Sequence, residues 1–487
     1  MVVRGAVQWV LESFPAALAR LGLVERAKAT EAFDLAAPVM VTGGLRVLLR
    51  MADFLFVGLA FGDRAIAGLE LGFQYYFIGF GLALALTSGT ISVVSRLQGA
   101  GERERAGLAV KQSLWLSLAI SIPLTIGAWV YADPLVDLLS DDQAVIDFGS
   151  AYLQVVMLSL AFRFWGLIAA RALAGSGDTR TPMYVRMLTL PANVVLNAVL
   201  IFGLGPAPRL GIVGAAVGTV VATAFGAAVF FWLLVSGKFD IALPLRGKQF
   251  DAELLTEIVR VASPLGGMRL LQSSVRFPFL FILSVLGPAA VSAYAIGRRV
   301  MSLALMPAWG YSTAASTLVG QSLGSGDEDS ATDYGWQTLR IGLVTQLLIA
   351  VVLVVAARPI AQAFGTEHVA LTVDFVRIFG VVTAAFSIAR TMRGSLRGAG
   401  DTRWPLYGMF VGSYVVRLPI AALALPTGFT VTVAGVSVAP GLGLGMPAIF
   451  LAILADYYTK AAVNTGRFWS GQWKTVARRA GVGTSGD

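Results

Sequence analysis

Asp53 lies about 21 residues into an apolar run that begins near residue 32. A carboxylate at that depth costs a few kcal/mol unless it is paired or faces water. It is therefore a candidate for reversible binding of a cation or a proton. Arg50 stands three residues earlier on the same helix face, where an ion pair can form. Pro38, fifteen residues before Asp53, can bend the helix and expose backbone carbonyls. Glu70 and Asp374 are weaker candidates near the ends of other apolar runs, and Asp34 reads as a helix-start residue.

Positive charge is the second chemical feature. Ten arginines fall inside apolar runs: Arg46, Arg50, Arg163, Arg269, Arg276, Arg298, Arg299, Arg377, Arg390 and Arg417. The acids read as available inside are only Asp53, Glu70 and Asp374. Some arginines will snorkel to the interface. The remaining surplus implies a water-filled cavity of positive potential, which favours anionic or zwitterionic solutes. Arg50, Arg276, Arg299, Gln74, Tyr76 and Gln272 form the expected cavity lining, and Arg50 and Arg276 are 226 positions apart.

Other chemistry is excluded by composition. The chain has no cysteine, so it has neither disulfides nor thiolate metal sites. Its one histidine, His368, falls in a loop where no nucleophile–histidine pair can be assembled. No enzyme activity and no cofactor are expected. The net charge of +9 could suggest nucleic acid, but in this composition it reads as cytoplasmic loop bias.

The elements that must position these groups are long apolar helices. Hydrophobic residues make up 56% of the 487 and charged residues 13%, where a soluble domain carries nearer a quarter. Apolar runs of about 20 residues or more predict spanning helices. Twelve are expected, roughly 32–58, 66–96, 107–132, 145–172, 182–204, 210–236, 252–286, 288–320, 332–357, 369–396, 405–426 and 440–463. Residues 1–31 form a lead-in, either solvated or an amphipathic helix on the membrane surface, with no cleaved signal. Residues 32–236 and 252–463 form two six-helix lobes, 237–251 a polar cytoplasmic linker and 464–487 a cytoplasmic tail. With the N-terminus inside, the inward segments hold 24 Lys and Arg against Arg64, Arg209 and Arg358 outside. That bias places both termini in the cytoplasm.

The chain is also a duplication. Ala174-Gly175-Ser176-Gly177-Asp178-Thr179-Arg180-Thr181-Pro182 recurs 223 positions later as Arg397-Gly398-Ala399-Gly400-Asp401-Thr402-Arg403-Trp404-Pro405. Pro38 pairs with Pro264 and Pro134 with Pro359. Two halves of six spans enter the membrane from the same side, an arrangement suited to rocking about a site between them. In each motif the glycines end one helix and allow a turn. Asp178 and Asp401, or the adjacent threonines, can cap the next helix, and the prolines suit its first turn. A phosphate-binding loop is disfavoured, because no strand precedes the motif and the Lys-Ser/Thr pair is missing.

The doubled Gly-x-Gly-Asp-Thr-x-x-Pro loop in two six-span halves resembles the MATE (multidrug and toxic compound extrusion) transporters, and within them the DinF-like branch. Met51-Ala52-Asp53-Phe54-Leu55-Phe56-Val57-Gly58, Gly211-Ile212-Val213-Gly214-Ala215-Ala216 and Thr313-Ala314-Ala315-Ser316-Thr317-Leu318-Val319-Gly320-Gln321 add to the match, which covers residues 32–463. The resemblance implies an all-α membrane protein of two pseudo-symmetric bundles. It implies a monomeric exporter of small organic solutes in the cell membrane, driven by Na⁺ or H⁺, with lipid around it and no nucleic acid partner. It places the coupling cation at Asp53, Asn193, Asn197 and Thr219. Asn197 departs from the family pattern, which has a carboxylate there, so a cation would meet one formal negative charge. The alternative is a lipid-linked oligosaccharide or lipid flippase of the same superfamily, whose members usually add two spans. A channel is a weaker reading, because no filter-like loop appears.

Overall fold

The computed structural model describes residues 13–61, 63–139, 142–433 and 436–479. Side chains at 47, 48, 50–55, 58, 59, 63, 64, 66, 431–433 and 436–438 lie outside the described set. Each predicted span is helical over most of its length, the last from Met446 rather than 440. The first half contains α1 (Arg26–Phe61), α2 (Asp63–Gly99), α3 (Arg103–Val130), α4 (Gln143–Met157) with α5 (Ser159–Gly175), α6 (Arg180–Phe202) and α7 (Gly211–Val235). The second contains α8 (Ala252–Ser274) with α9 (Arg276–Val285), α10 (Pro288–Ala304) with α11 (Met306–Gly324), α12 (Glu328–Val355) and α13 (Val369–Gly398). It closes with α14 (Arg403–Phe410), a π-helical turn (Val411–Arg417), α15 (Leu418–Ala422) and α16 (Met446–Trp469). Among the described residues, eight helices, the α8–α9 pair counted as one, are long and apolar enough to cross a membrane. The α4–α5 pair, bent by 47°, makes a ninth. The remaining predicted spans are α1, whose side chains are only partly described, and the segmented pairs and turns at α10–α11 and α14–α15. A two-stranded antiparallel hairpin, Val431–Val433 with Val436–Val438, occupies the loop before α16.

The chain packs as two units. One holds the described residues up to Met40 with Pro264–Leu323 and the chain from Asp327 on; the other holds Val41–Ser263 with Gly324–Gly326. The cuts fall within α1 and α8, next to Pro38 and at Pro264. Both helices run through their proline without interruption. A proline there removes a backbone bond one turn earlier and weakens the helix at that point. The first stretch of α1 packs in the first unit: a side chain at Gly310 would reach within 2.6 Å of the Ala36 carbonyl. Lys28 donates to Asp333 at 2.9 Å. The start of α8 packs in the second unit, where Arg96 pairs with Glu257 at 2.5 Å.

The described part of the lead-in, from residue 13 on, packs in the first unit. Residues 13–20 are helical, Leu18 is buried, and the Phe14 ring lies 5.5 Å from Phe33. Residues 13–20 therefore pack on protein through Phe14 and Leu18, while the part of the expected surface helix at Trp9, Val10 and Leu11 lies outside the described residues. The tail docks similarly: Trp473 is buried and stacks on Phe468 at 4.8 Å, and Arg478 makes a fork-shaped pair with Glu328.

The duplicated loop keeps its turn but not its partners. Gly177 and Gly400 take positive φ, 97° and 80°, which a side chain would strain. Asp178 accepts the Thr181 N–H at 2.9 Å, as a cap does. Asp401 is instead buried, and its carboxylate accepts from Arg467 at 2.7 Å.

The linker ends in a built cap as well. Asp251 accepts from the N–H groups of Glu253 and Leu254, both at 3.1 Å, and pairs with Lys248 at 2.8 Å. The Lys248 bond holds its carboxyl below the usual carboxylate range. A carboxyl depressed in the folded state stabilises fully above its unfolded pKa and loses that contribution as pH falls through the folded value. Asp251→Ala should therefore cost about 1 kcal/mol at pH 7. Thermal unfolding against pH should show the difference from wild type closing below the carboxylate range.

Candidate functional site

α6 presents Asn193 and Asn197 one turn apart on one face, and α7 brings Thr219 to them. The Asn193 amide donates to Asn197 Oδ1 and to Thr219 Oγ1, each at 3.4 Å. Thr219 in turn donates to the Ala215 carbonyl at 2.9 Å, which fixes its oxygen toward the amides. Asn197 is fully buried. The close approach depends on Gly218, where a Cβ would lie 2.1 Å from Asn197 Oδ1. These three residues, expected together, are together in the fold, and their oxygens are hard donors suited to Na⁺.

The Asp53 and Arg50 side chains lie outside the described residues, but the backbone of α1 is placed. Phe56, three residues after Asp53, packs edge-on against Phe202 of α6 at 6.0 Å. A side chain at Gly211, which opens α7, would meet the Phe61 ring at 2.9 Å. α1 thus meets the end of α6 and the start of α7, the two helices that carry the amide cluster.

The expected cavity lining divides between the two units. In one, Gln74 is exposed and donates to Glu70 at 3.1 Å, while Tyr76 is buried. The Tyr76 hydroxyl accepts from Arg163 at 3.0 Å and from Ser159 at 3.3 Å, which makes it an interior packing group. In the other, Gln272, Arg276 and Arg299 are exposed. Asp374 is exposed as well.

The sequence inventory of interior acids omitted Asp456. It lies on α16 with 1% of its side chain exposed. Its Oδ1 accepts from Lys460 at 2.6 Å and from Ser413 at 3.1 Å, and its Oδ2 lies 3.6 Å from Arg417. Arg417 therefore has a buried carboxylate nearby, but Lys460 beside it stands outside the arginine count as well, so the positive surplus is unchanged. The missed signal was the Asp456-x-x-x-Lys460 spacing inside the last apolar run, which reads equally well as a solvated i,i+4 pair.

Comparison with known proteins agrees with this architecture. The family model described as MatE matches residues 38–199 and 264–423, more than half of the chain. A probable multidrug resistance protein NorM of Thermotoga maritima is 27% identical over 452 residues, covering 92% of this chain and 93% of that one. A FAD transporter of Shewanella oneidensis is 25% identical over 326 residues, 65% of this chain and 70% of that one. Crystal structures of MATE in the straight and in the bent conformation each superpose with a TM-score of 0.82 at 20% identity, covering 93% of this chain and 97% of theirs.

Gly218→Ala forces Asn197 out of its place and should destabilise the protein by about 1–3 kcal/mol. The double variant Gly218→Ala/Asn197→Ala removes the clash, so its thermal midpoint should recover most of that loss. A Gly218→Ala protein as stable as wild type contradicts the contact.

Proposed function

Because the chain belongs to the MatE family of membrane transporters, we propose that it exports organic solutes by exchange for an inward-moving cation bound in the first half. The protein is a multi-pass secondary transporter and not an enzyme. The observation that carries the coupling proposal is the Asn193–Asn197–Thr219 cluster, which lies in the same packing unit as the part of α1 beyond Met40. Asp53 supplies the one formal negative charge, and the two amides and the hydroxyl supply neutral oxygens. Either Na⁺ or a proton at Asp53 neutralises the carboxylate and removes the cost of keeping it away from water. Neutralisation changes which environment α1 tolerates, and α1 yields near Pro38, where it passes from one packing unit to the other. The site then differs in accessibility with and without its cation, which is what coupling requires.

The cargo is amphipathic or anionic. Support comes from the exposed Arg276 and Arg299 and from the relative named as a transporter of FAD, a diphosphate-bearing molecule. The inward surplus of Lys and Arg supports a cell-membrane protein with both termini in the cytoplasm. It works as a monomer, each chain carrying both halves.

Asp53→Asn should leave the protein folded, judged by gel filtration and thermal midpoint, and lower gradient-driven transport in proteoliposomes at least tenfold. Full activity in that variant removes Asp53 from the mechanism. Citrate efflux measured beside efflux of a cationic dye tests the cargo; dye transport with no anion transport contradicts an anionic cargo.

A further inference from the structure

The second half holds its own buried charges, and they do not balance. Arg417 and Lys460 stand against Asp456, and Arg298 lies at the exposed edge with its guanidinium 5.8 Å from the Tyr294 ring centre. All four belong to the same packing unit. Asp456 is fully engaged on one oxygen, Oδ1, which takes both Lys460 and Ser413. Its other oxygen has no hydrogen bond, and at 3.6 Å its approach to Arg417 is too long to be one. Arg417 is therefore underserved. One Nη donates to the Tyr294 hydroxyl at 3.2 Å, the guanidinium lies 3.7 Å from the centre of the Phe279 ring, and the buried Nε has no partner.

A buried guanidinium with unused donors is built to take an oxyanion, because its planar fork matches the two oxygens of a carboxylate or phosphate. The exposure supports the same direction. Arg417 and Lys460 keep 12% and 15% of their side-chain surface open, while Asp456 keeps 1%.

The duplication gives this position a history. The repeated loops are 223 residues apart, Asp178 to Asp401. In the second half the π-helical turn Val411–Arg417 follows the loop. A π-turn adds one residue to a helix and is frequent at functional sites. The register beyond it is shifted by one, so the counterpart of Asn193 is Arg417, 224 positions on, where an uninterrupted helix would present Val416. The place that holds an amide of the cation cluster in the first half holds a fixed cation in the second.

We propose that the second half contains a binding site for the oxyanion group of an organic solute, formed by Arg417 and Lys460 with Tyr294 and Arg298, in which Asp456 is the internal counter-ion that the solute's carboxylate or phosphate displaces from Arg417. The inference rests on the reading that the cargo is anionic, and it locates the recognition of that cargo in one half of the protein.

The test is direct binding to the full-length purified protein. Carboxyfluorescein anisotropy reports a carboxylate probe, with citrate and phenyl phosphate as competitors at constant ionic strength. Arg417→Gln should weaken probe binding at least tenfold, and Arg417→Lys, which keeps the charge without the fork, should fall between. Asp456→Asn should tighten binding severalfold, because the competing carboxylate is gone; a purely structural ion pair predicts weakening there. Displacement by citrate identifies a carboxylate site and by phenyl phosphate a phosphate site. Binding within twofold of wild type in Arg417→Gln, or equal weakening in Asp456→Asn and Arg417→Gln, overturns the proposal. A thermal midpoint for each variant separates loss of the site from loss of the fold. If wild-type protein exports citrate and Arg417→Gln binds and exports it equally well, the site falls while the anionic cargo stands. If Arg417→Gln loses probe binding but wild-type protein exports no anion, the site stands and the cargo reading falls.

Discussion

The constraint on which the rest depends is the cost of holding charge away from water. An ion taken out of water into a protein interior costs several kcal/mol even after relaxation. Each buried charge must therefore find a partner of opposite sign, a set of hydrogen bonds or an exchangeable ion. The structure uses the first solution in Arg96 with Glu257 and in Arg467 with Asp401. Arg397 uses the second: its guanidinium donates to the Ser316 hydroxyl at 3.1 Å and to the Ser312 carbonyl at 3.0 Å. Asp53 and Arg417 are where the proposed mechanism calls on the third. A transporter needs charges whose partners are meant to leave, and at Arg417 the pairing within the protein is incomplete.

Duplication explains how one chain arrived at two polarities. The halves share spans, prolines and a turn motif, and the shared parts are structural. Where the copies differ, they differ in charge. Asp178 caps its own helix, whereas the same residue in the second copy is drawn into a pair because Arg467 lies beside it. The one-residue insertion in the π-turn changes which side chain stands at an equivalent place. In the register proposed above, it puts a guanidinium where the first half has an amide, without altering the order of the spans. In the proposed division of labour, a small inserted turn is enough to give one half a cation and the other an anion.

Much of the fold was legible because length and apolarity are strong constraints in a membrane: a run of about 20 apolar residues has few alternatives to a helix. The breaks were less so. Those at Val275 and Leu305 precede Pro278 and Pro307, and a proline cannot donate back to the preceding turn. The bend at Leu158 has neither proline nor glycine beside it; there Thr125 donates to the Met157 carbonyl at 3.1 Å and Ser159 to the Val156 carbonyl at 2.7 Å, and hydroxyls on ladder carbonyls bend a helix. Asn193, Asn197 and Thr219 came into view through the family resemblance, and Gly218 explains in physical terms why the two helices can close on them. Asp456 was not legible as a buried acid, since burial there is set by the contact of α16 with the π-turn. An aspartate four residues before a lysine looks the same on a solvated face.

The account stands or falls on whether cation entry drives the solute out. The most direct measurement uses the wild-type protein in proteoliposomes, with a Na⁺ gradient and a pH gradient imposed separately and cargo movement followed in each. The account predicts that one of the two gradients moves cargo against its own concentration difference, and that collapsing that gradient with an ionophore stops the movement. Cargo movement that follows only its own concentration difference under both gradients would contradict it.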